Sequence, residues 1–434
     1  MSNQINLTKD KYIVTNSLPY VNSIPHVGFA METLISDSIA RFLRTIGKEV
    51  VFVTGTDDNS FKLSKKAKIC NQSTREFVDN NAVNFLNLSD KLNLSNNIFY
   101  TTSTQSHEVF INKFIKAISK DSVYKGNFKS YFCPDCEAFF GLKPTNDDLV
   151  CQTHHIPYDL VDEDNYFLKV TSNDKDNLLK NLNKMSIIPN KYIGVIEEYI
   201  NNFNDYNFTR KDIFGWGLKF YGDNDYVFYS FFDALLGYVA GANAFKNINY
   251  WNLENVCIIQ NIGRDILKFH SVTFPHMLLK AGYKNTPDSL IVHGFINRDG
   301  MKMSKSKNNF VSVDSILEKY HPNVLRLYLL SQNFLDDFEF DFTELDNINY
   351  IYKKYIDSES IMSRLKLNSH VFEINNIKQE ILNNFANLEF KEIINAFFNL
   401  LKEQKILSKG ETDFVYLCFQ SFVPNAIIEN KYEE

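Results

Sequence analysis

The sequence is short of the residues that break or staple a chain. Glycine and proline number only 16 and 10 among 434 residues, which excludes collagenous and low-complexity proteins and argues for an ordered globular one. Six cysteines are too few for a disulfide scaffold in a chain this long, and three of them crowd into residues 133 to 151, which points to metal binding. No stretch approaches the roughly 18 apolar residues of a membrane span. The N-terminal MSNQINLTKDK lacks a charged-then-apolar leader pattern, so a cytoplasmic protein without membrane contact is expected. A basic excess is missing too. With a formal net charge of −6, any nucleic-acid contact must use local patches, such as the lysines at 302, 305 and 307.

What is present is an apolar, aromatic chain, 44% hydrophobic with 38 Phe and 23 Tyr, long enough for two or three structural units. Tyr12-Ile13-Val14-Thr15 and the run Glu49 to Val53 read as strands. Between them Ile35, Ile39, Phe42, Leu43 and Ile46 place an apolar stripe on one side of a helix. This βαβ unit predicts an α/β fold with a parallel sheet, whose ligands bind beyond the carboxyl ends of the strands. Two further strands, Val256 to Ile259 and Leu290 to Val292, flank a helix-like segment at 264 to 281, so the same unit resumes after an interruption. Beyond residue 345 the spacing of Ile393, Ile394, Phe397, Phe398 and Leu401 is helical. The expected division is 1–110 and 221–300 for the two halves of the sheet domain, 111–220 for an insertion, 301–345 for a loop region and 346–434 for a short helical domain.

Three motifs carry chemistry. Leu18 to Phe29 lies between the first strand and the helix, where free helical N–H groups, the approach allowed by Gly28 and a donor on His26 suit a phosphate. Lys302-Met303-Ser304-Lys305-Ser306 follows a turn-like Arg298-Asp299-Gly300. Two ammonium groups on such a loop, with Mg²⁺, would stabilise charge on the phosphates of ATP when a carboxylate attacks the α-phosphate. Cys133-x-x-Cys136 and Cys151-x-x-His154 supply four ligands in two x₂ pairs, suited to one structural Zn²⁺, with His155 an alternative fourth ligand.

A His-x-Gly loop near the N-terminus and a Lys-Met-Ser-Lys-Ser loop about 270 residues later resemble the two signatures of class I aminoacyl-tRNA synthetases. The segments Leu18-Pro19-Tyr20-Val21-Asn22, Thr54-Gly55-Thr56-Asp57, Phe232-Asp233-Ala234-Leu235, Ile262 to Leu267 and Phe269-His270 resemble, in order, the methionyl-tRNA synthetase family over residues 11 to 345. The resemblance implies a Rossmann-like sheet with an inserted zinc knuckle and a C-terminal helical domain. It implies ATP-dependent activation of methionine and transfer to tRNA(Met), by a monomer. Asp57 would hold the methionine ammonium; Leu18, Tyr20, Phe231, Tyr238, Phe269 and His270 would line its side-chain pocket. Pro19, His26, Gly28, Asp265, Lys302, Ser304 and Lys305 would bind ATP, with His26, Lys302 and Lys305 the catalytic set. Arg264 would help orient the nucleotide, and Arg210 would lie near the adenylate. Ser360 and Arg364 match the anticodon-reading pair.

The chain departs from the family pattern at several of these places. Phe29 stands where the first signature has a second histidine; losing one transition-state donor there would cost about 2.7–4 kcal/mol. Asp58-Asn59-Ser60 replaces acidic-His-Gly, Phe231 replaces a tryptophan, and no tryptophan follows Trp251 to stack on an anticodon base. These departures define the alternatives: a divergent paralogue activating an amino acid for a non-ribosomal role, or a non-catalytic nucleotide- or RNA-binding relative.

Overall fold

A computed structural model describes residues 3–133, 138–139, 149–151, 156–213, 215–303, 309–356, 374–403 and 409–424. Its centre is a parallel sheet of β1 (Lys11–Asn16), β2 (Glu49–Thr56), β3 (Ile98–Thr101), β7 (Ser186–Ile188), β11 (Val256–Gly263) and β12 (Ser289–His293). The strand order is β3-β2-β1-β11-β12-β7. The central strands are apolar on both faces because both are covered. Tyr12, Val14, Phe52 and Ile259 pack with α1 (Val27–Thr45) on one side. Ile13, Val51, Val53 and Ile258 pack on the other with α4 (Gln105–Ala117) and α7 (Ser230–Ala244). Strands β2 and β3 approach so closely that a Cβ on Gly55 would lie 1.8 Å from the Tyr100 carbonyl oxygen, so only glycine fits there.

The α/β class is the one expected, with two local differences. The span 111–220 does not all lie apart from the sheet: β7, between α5 (Ser172–Leu182) and α6 (Ile193–Asn201), returns to pair with β12. Three residues ending before Pro189 are too few to register as a strand. The separate part is an antiparallel sheet of β4 (Val123–Cys133), β5 (Ala138–Phe139), β6 (Asp159–Leu168) and β8 (Tyr206–Asn207). Beside it β9 (Thr209–Lys211) pairs with β10 (Tyr226–Phe228). Segment 264–281, read as one helix, is broken into a 3₁₀ turn at Arg264–Ile266, a π-helical turn at Phe269–Thr273 and α8 (Phe274–Lys280). Pro275, lacking an N–H, cannot continue an uninterrupted α-ladder.

After β12 come the small sheet of β13 (Ile296–Arg298), β14 (Met301–Lys302) and β15 (Phe338–Glu339), then α9 (Val313–Leu317), α10 (Pro322–Leu330) and α11 (Phe342–Tyr355). The C-terminal part carries α12 (Ile374–Ala386), α13 (Phe390–Glu403) and α14 (Lys409–Gln420). These helices dock on α1, where the Phe42 and Phe385 rings stack at 3.7 Å. Among the described residues no helix is long and apolar enough to cross a membrane.

Candidate active site

The site forms where β1, β2, β11 and β12 end. His26 caps α1: its Nδ1 accepts from the Phe29 amide at 3.2 Å, and its exposed ring leaves the capped turn toward solvent. A Cβ on Gly28 would lie 2.9 Å from that imidazole, so glycine is what lets His26 fold over the helix start. The described flanks of the second motif come from the other side. Asp299 and Gly300 both have positive φ, giving the tight turn between β13 and β14. Asn309, past the lysine-serine stretch, donates to the Arg298 and Met301 carbonyls at 3.2 and 3.4 Å. Phe310 meets the His26 ring edge-on at 6.1 Å, and the Val27 amide bonds the Val311 carbonyl at 3.4 Å. The segment that follows the second motif is thus adjacent to the first. Ser304 and Lys305 lie outside the described residues, as do Ser360 and Arg364, while Lys302 is described for its backbone in β14.

Between the ends of β1 and β2, the Asp57 amide donates to the Pro19 carbonyl at 2.9 Å, and Tyr20 bridges Asp57. Tyr20 meets Phe231 edge-on at 6.4 Å, and Phe231 stacks on Phe269 at 4.0 Å. Behind them His270 Nδ1 faces the Ile266 carbonyl at 3.1 Å and Nε2 faces the Tyr238 hydroxyl at 3.1 Å. A carbonyl can only accept, so Nδ1 carries the proton and Nε2 accepts from Tyr238. Burial holds His270 down at about 4, which keeps it neutral near pH 7. The π-turn places Phe269 and His270 together on the pocket. Leu18, Tyr20, Asp57, Phe231, Tyr238, Phe269 and His270 are therefore all brought to one region.

Other expected residues fall differently. Phe29 is buried and meets Phe85 edge-on at 5.3 Å, so the side chain at that position points into the core. Asn59 donates from Nδ2 to Asp233 Oδ2 at 2.5 Å and to the Thr102 carbonyl at 3.0 Å. Desolvation raises Asp58 to about 6 despite donation from Ser103, and burial also raises Asp233 well above the usual carboxylate range. Arg264 pairs with Asp337 at 2.8 Å and lies over Phe295, turned to the loop region. Asp265 is exposed beside Gly263. Arg210 pairs with Glu163 of the insertion at 2.7 Å and shares a small cavity with Asn59, Tyr229 and Ser230. In the insertion Cys133 and Cys151 are both buried, and the Cys151 amide donates to the Ile156 carbonyl at 2.8 Å. Two buried thiols fit a thiophilic metal. Cys136, His154 and His155 lie outside the described residues.

Sequence reasoning missed one cluster. Glu32, buried in α1, bonds His293 Nε2 through Oε2 at 2.8 Å and accepts from the Ser17 amide through Oε1. The other nitrogen of His293 faces the Gly294 carbonyl at 2.8 Å. Burial opposes the charged ring, yet Glu32 and Gly294 hold the His293 pKa above its ordinary value. An acceptor at each ring nitrogen favours the protonated ring. Glu32 thereby ties the end of β1 to the end of β12, the strands that lead into the two motifs. The signal was in the sequence: a carboxylate at a buried position of α1, among Met31, Thr33, Leu34 and Ile35.

A family model described as tRNA synthetases class I (M) matches residues 12–151 and 145–359. The chain belongs to this family. Methionine–tRNA ligases are among its relatives: that of Campylobacter jejuni is 29% identical over 97% of this chain and 69% of its own length. The chloroplastic/mitochondrial enzyme of Arabidopsis thaliana is 30% identical over 74% of this chain and 53% of its own length. The Ureaplasma parvum protein is 28% identical over 99% and 83%. The chain thus spans about half the length of several curated relatives, with shares of 53%, 51% and 52%. In fold it is similar to Mycobacterium tuberculosis methionyl-tRNA synthetase in complex with methionyl-adenylate, with a TM-score of 0.79, 23% identity and coverage of 95% of this chain and 89% of that one.

Proposed function

We propose that the chain is a methionine–tRNA ligase: it joins methionine to AMP with release of pyrophosphate, then passes the methionyl group to the terminal adenosine of tRNA(Met). One observation carries this reading. Asp57, bridged to Tyr20 through the backbone and close enough for its charge to bear on Tyr238, adjoins an aromatic cluster in which Tyr20 meets Phe231, Phe231 stacks on Phe269 and Tyr238 bonds His270. An ammonium belongs at the first and a polarizable thioether in the second. Neutral His270 adds no charge to the apolar end. The relatives' names support the same substrate.

In this reading Asp57 holds the ammonium, and Leu18, Tyr20, Phe231, Tyr238, Phe269 and His270 hold the side chain. Pro19, His26, Gly28, Asp265, Lys302, Ser304 and Lys305 hold ATP, which arrives with Mg²⁺. The methionine carboxylate attacks the α-phosphorus and the bond to pyrophosphate breaks; His26, Lys302 and Lys305 stabilise the charge that develops, and no general base is needed. The missing imidazole at Phe29 leaves His26 and the lysines to supply that stabilisation. Arg210 borders the methionine end through the cavity it shares with Asn59 and Tyr229. The sheet domain of 1–110 and 221–300 carries the chemistry, and the loop region 301–345 closes over ATP. Ser360 and Arg364 of the helical domain 346–434 contact the anticodon. Cys133, Cys136, Cys151 and His154 hold one Zn²⁺ that stiffens the insertion within 111–220. The protein acts as a cytoplasmic monomer.

Methionine-dependent exchange of pyrophosphate into ATP, followed by charging of tRNA(Met) with intact and altered anticodons, tests this. Absence of exchange with every amino acid overturns it. Charging that ignores anticodon changes removes the role given to Arg364.

A further inference from the structure

A second cavity opens on the side of Asp57 away from the His26 loop. It holds about 310 Å³, at the lower end of the range for ligand pockets, and is lined by Asn59, Arg75, Thr104, Gln105, Glu108 and Trp216, among others. Its position follows from the sheet: Asn59 leaves β2, Thr104 leaves β3, and Trp216 comes from the segment that returns from the insertion. Two flat groups form one wall. The Arg75 guanidinium lies 5.2 Å from the Trp216 ring centroid and is fixed by donation to the Ser103 hydroxyl and carbonyl, both at 3.2 Å. The indole is fixed in turn, its N–H donating to the Asp58 carbonyl at 2.9 Å. The cavity is too polar for a thioether, and the nucleotide residues gather at β1, β11 and β12.

Its connection to the site is short. The Asn59 amide donates to Asp57 Oδ1 at 3.3 Å, so the cavity begins two residues from the carboxylate assigned to the methionine ammonium. The acyl carbon is two bonds from that nitrogen, and the hydroxyl that accepts the methionyl group must come up to it. A basic element starts beside Asn59, with Lys66 donating to the Asn22 carbonyl at 3.1 Å and Lys62 lying 5.6 Å from the Tyr20 ring centroid, on the side of the Leu18–Phe29 loop. Helix α2 (Phe61–Ile69) starts at Ser60, next to Asn59, and carries Lys62, Lys65, Lys66 and Lys68 with no acidic residue. Like charges at these i,i+3 and i,i+4 spacings destabilise a helix by itself. In a chain of net charge −6, such a face suits a polyanion.

Resting on the ligase reading above, we propose that this cavity receives the 3′-terminal nucleoside of the tRNA. The base stacks against Trp216 and Arg75, and its edge meets Gln105 and Glu108. Stacking on aromatic and guanidinium planes is how single-stranded ends are commonly held.

The two tryptophans make the test direct, because Trp251 is fully buried while Trp216 is partly exposed. An acceptor-stem minihelix of tRNA(Met) ending in CCA should quench the fluorescence of the full chain; the same minihelix ending in CC should not, and Trp216→Phe should lose the signal. In charging, Trp216→Ala should raise KM for tRNA roughly 10–100-fold, with pyrophosphate exchange unchanged and Trp216→Phe largely restored. Gln105→Phe fills the cavity without removing the stacking wall and should give the same split if Trp216→Ala folds poorly. Equal quenching by both minihelices, or parallel loss of exchange and charging in Gln105→Phe, overturns the proposal. A parent chain that lacks exchange yet is quenched only by the CCA end would instead overturn the ligase reading and leave the nucleoside site standing.

Discussion

His270 and Tyr238 illustrate how a residue's meaning depends on what surrounds it. As isolated letters, a histidine and a tyrosine in apolar segments read as core. The structure orders their protons instead, with the Tyr238 hydroxyl donating to a nitrogen whose partner nitrogen is committed to Ile266. Tyr238→Phe leaves that buried acceptor unsatisfied, a loss of about 1–3 kcal/mol. KM for methionine in pyrophosphate exchange should rise roughly tenfold, with KM for ATP little changed. The same burial has a pH consequence. An unfolded histidine takes up a proton near pH 6.5, whereas folded His270 resists until about 4. Its contribution to stability is therefore complete above about pH 6.5 and is lost as pH falls through that window, on the order of 1 kcal/mol per pH unit. Urea unfolding at pH 7 and pH 5 should show the parent losing more stability than His270→Gln. Phe29 marks the limit of reading by residue: a missing donor was legible, but its packing on Phe85 was not, since Phe85 lies far along the chain on α3 (Thr74–Lys91).

At the scale of elements, α1 does more than cover a sheet. Its stripe of Ile35, Ile39, Phe42 and Leu43 was legible from period alone, because an apolar face of this kind has few other uses. Its buried charges were not, because their partners come from elsewhere. Asp37, fully buried, takes Arg326 of α10 at 2.6 Å and Arg41 at 2.8 Å. Burial alone would raise the Asp37 pKa, but Arg326 and Arg41 hold it below the usual carboxylate range. Through Asp37, Glu32 and Phe42 one helix joins the loop region, the second motif's strand and the C-terminal helices. Removing Arg326 leaves buried Asp37 with Arg41 as its remaining ion-pair partner among the described residues, so Arg326→Met should lower unfolding free energy by about 3 kcal/mol. The double change Asp37→Leu/Arg326→Met should recover most of it. Denaturant titration of the three proteins checks the sign; equal stability of single and double variants would remove the pair from this role. Strand β7 was missed for a complementary reason: three residues have no measurable period, and only pairing with β12 defines them.

The whole molecule is a sheet built from distant pieces of chain, and this governs how its parts should come apart. The sheet class was legible because β1, β2, β11 and β12 each carry an apolar run that needs cover on both faces. The insertion offers less. Its β4–β6 ladder has exposed charges along one face and a small aromatic cluster of Tyr124, Phe128 and Phe167. Such a thin layer buries little apolar surface for its length, and its far end holds the buried thiols of Cys133 and Cys151. If Zn²⁺ binds there, its binding energy adds to what the aromatic cluster of the ladder supplies. A chelator should then loosen the tip alone. Protease cleavage between residues 133 and 157 should accelerate, while the main thermal transition, set by the layers around the parallel sheet, should move little. Cys151→Ser should reproduce the cleavage without chelator, and added Zn²⁺ should reverse it in the parent only. Cleavage unaffected by chelator and by Cys151→Ser alike would remove zinc from the account of this subdomain.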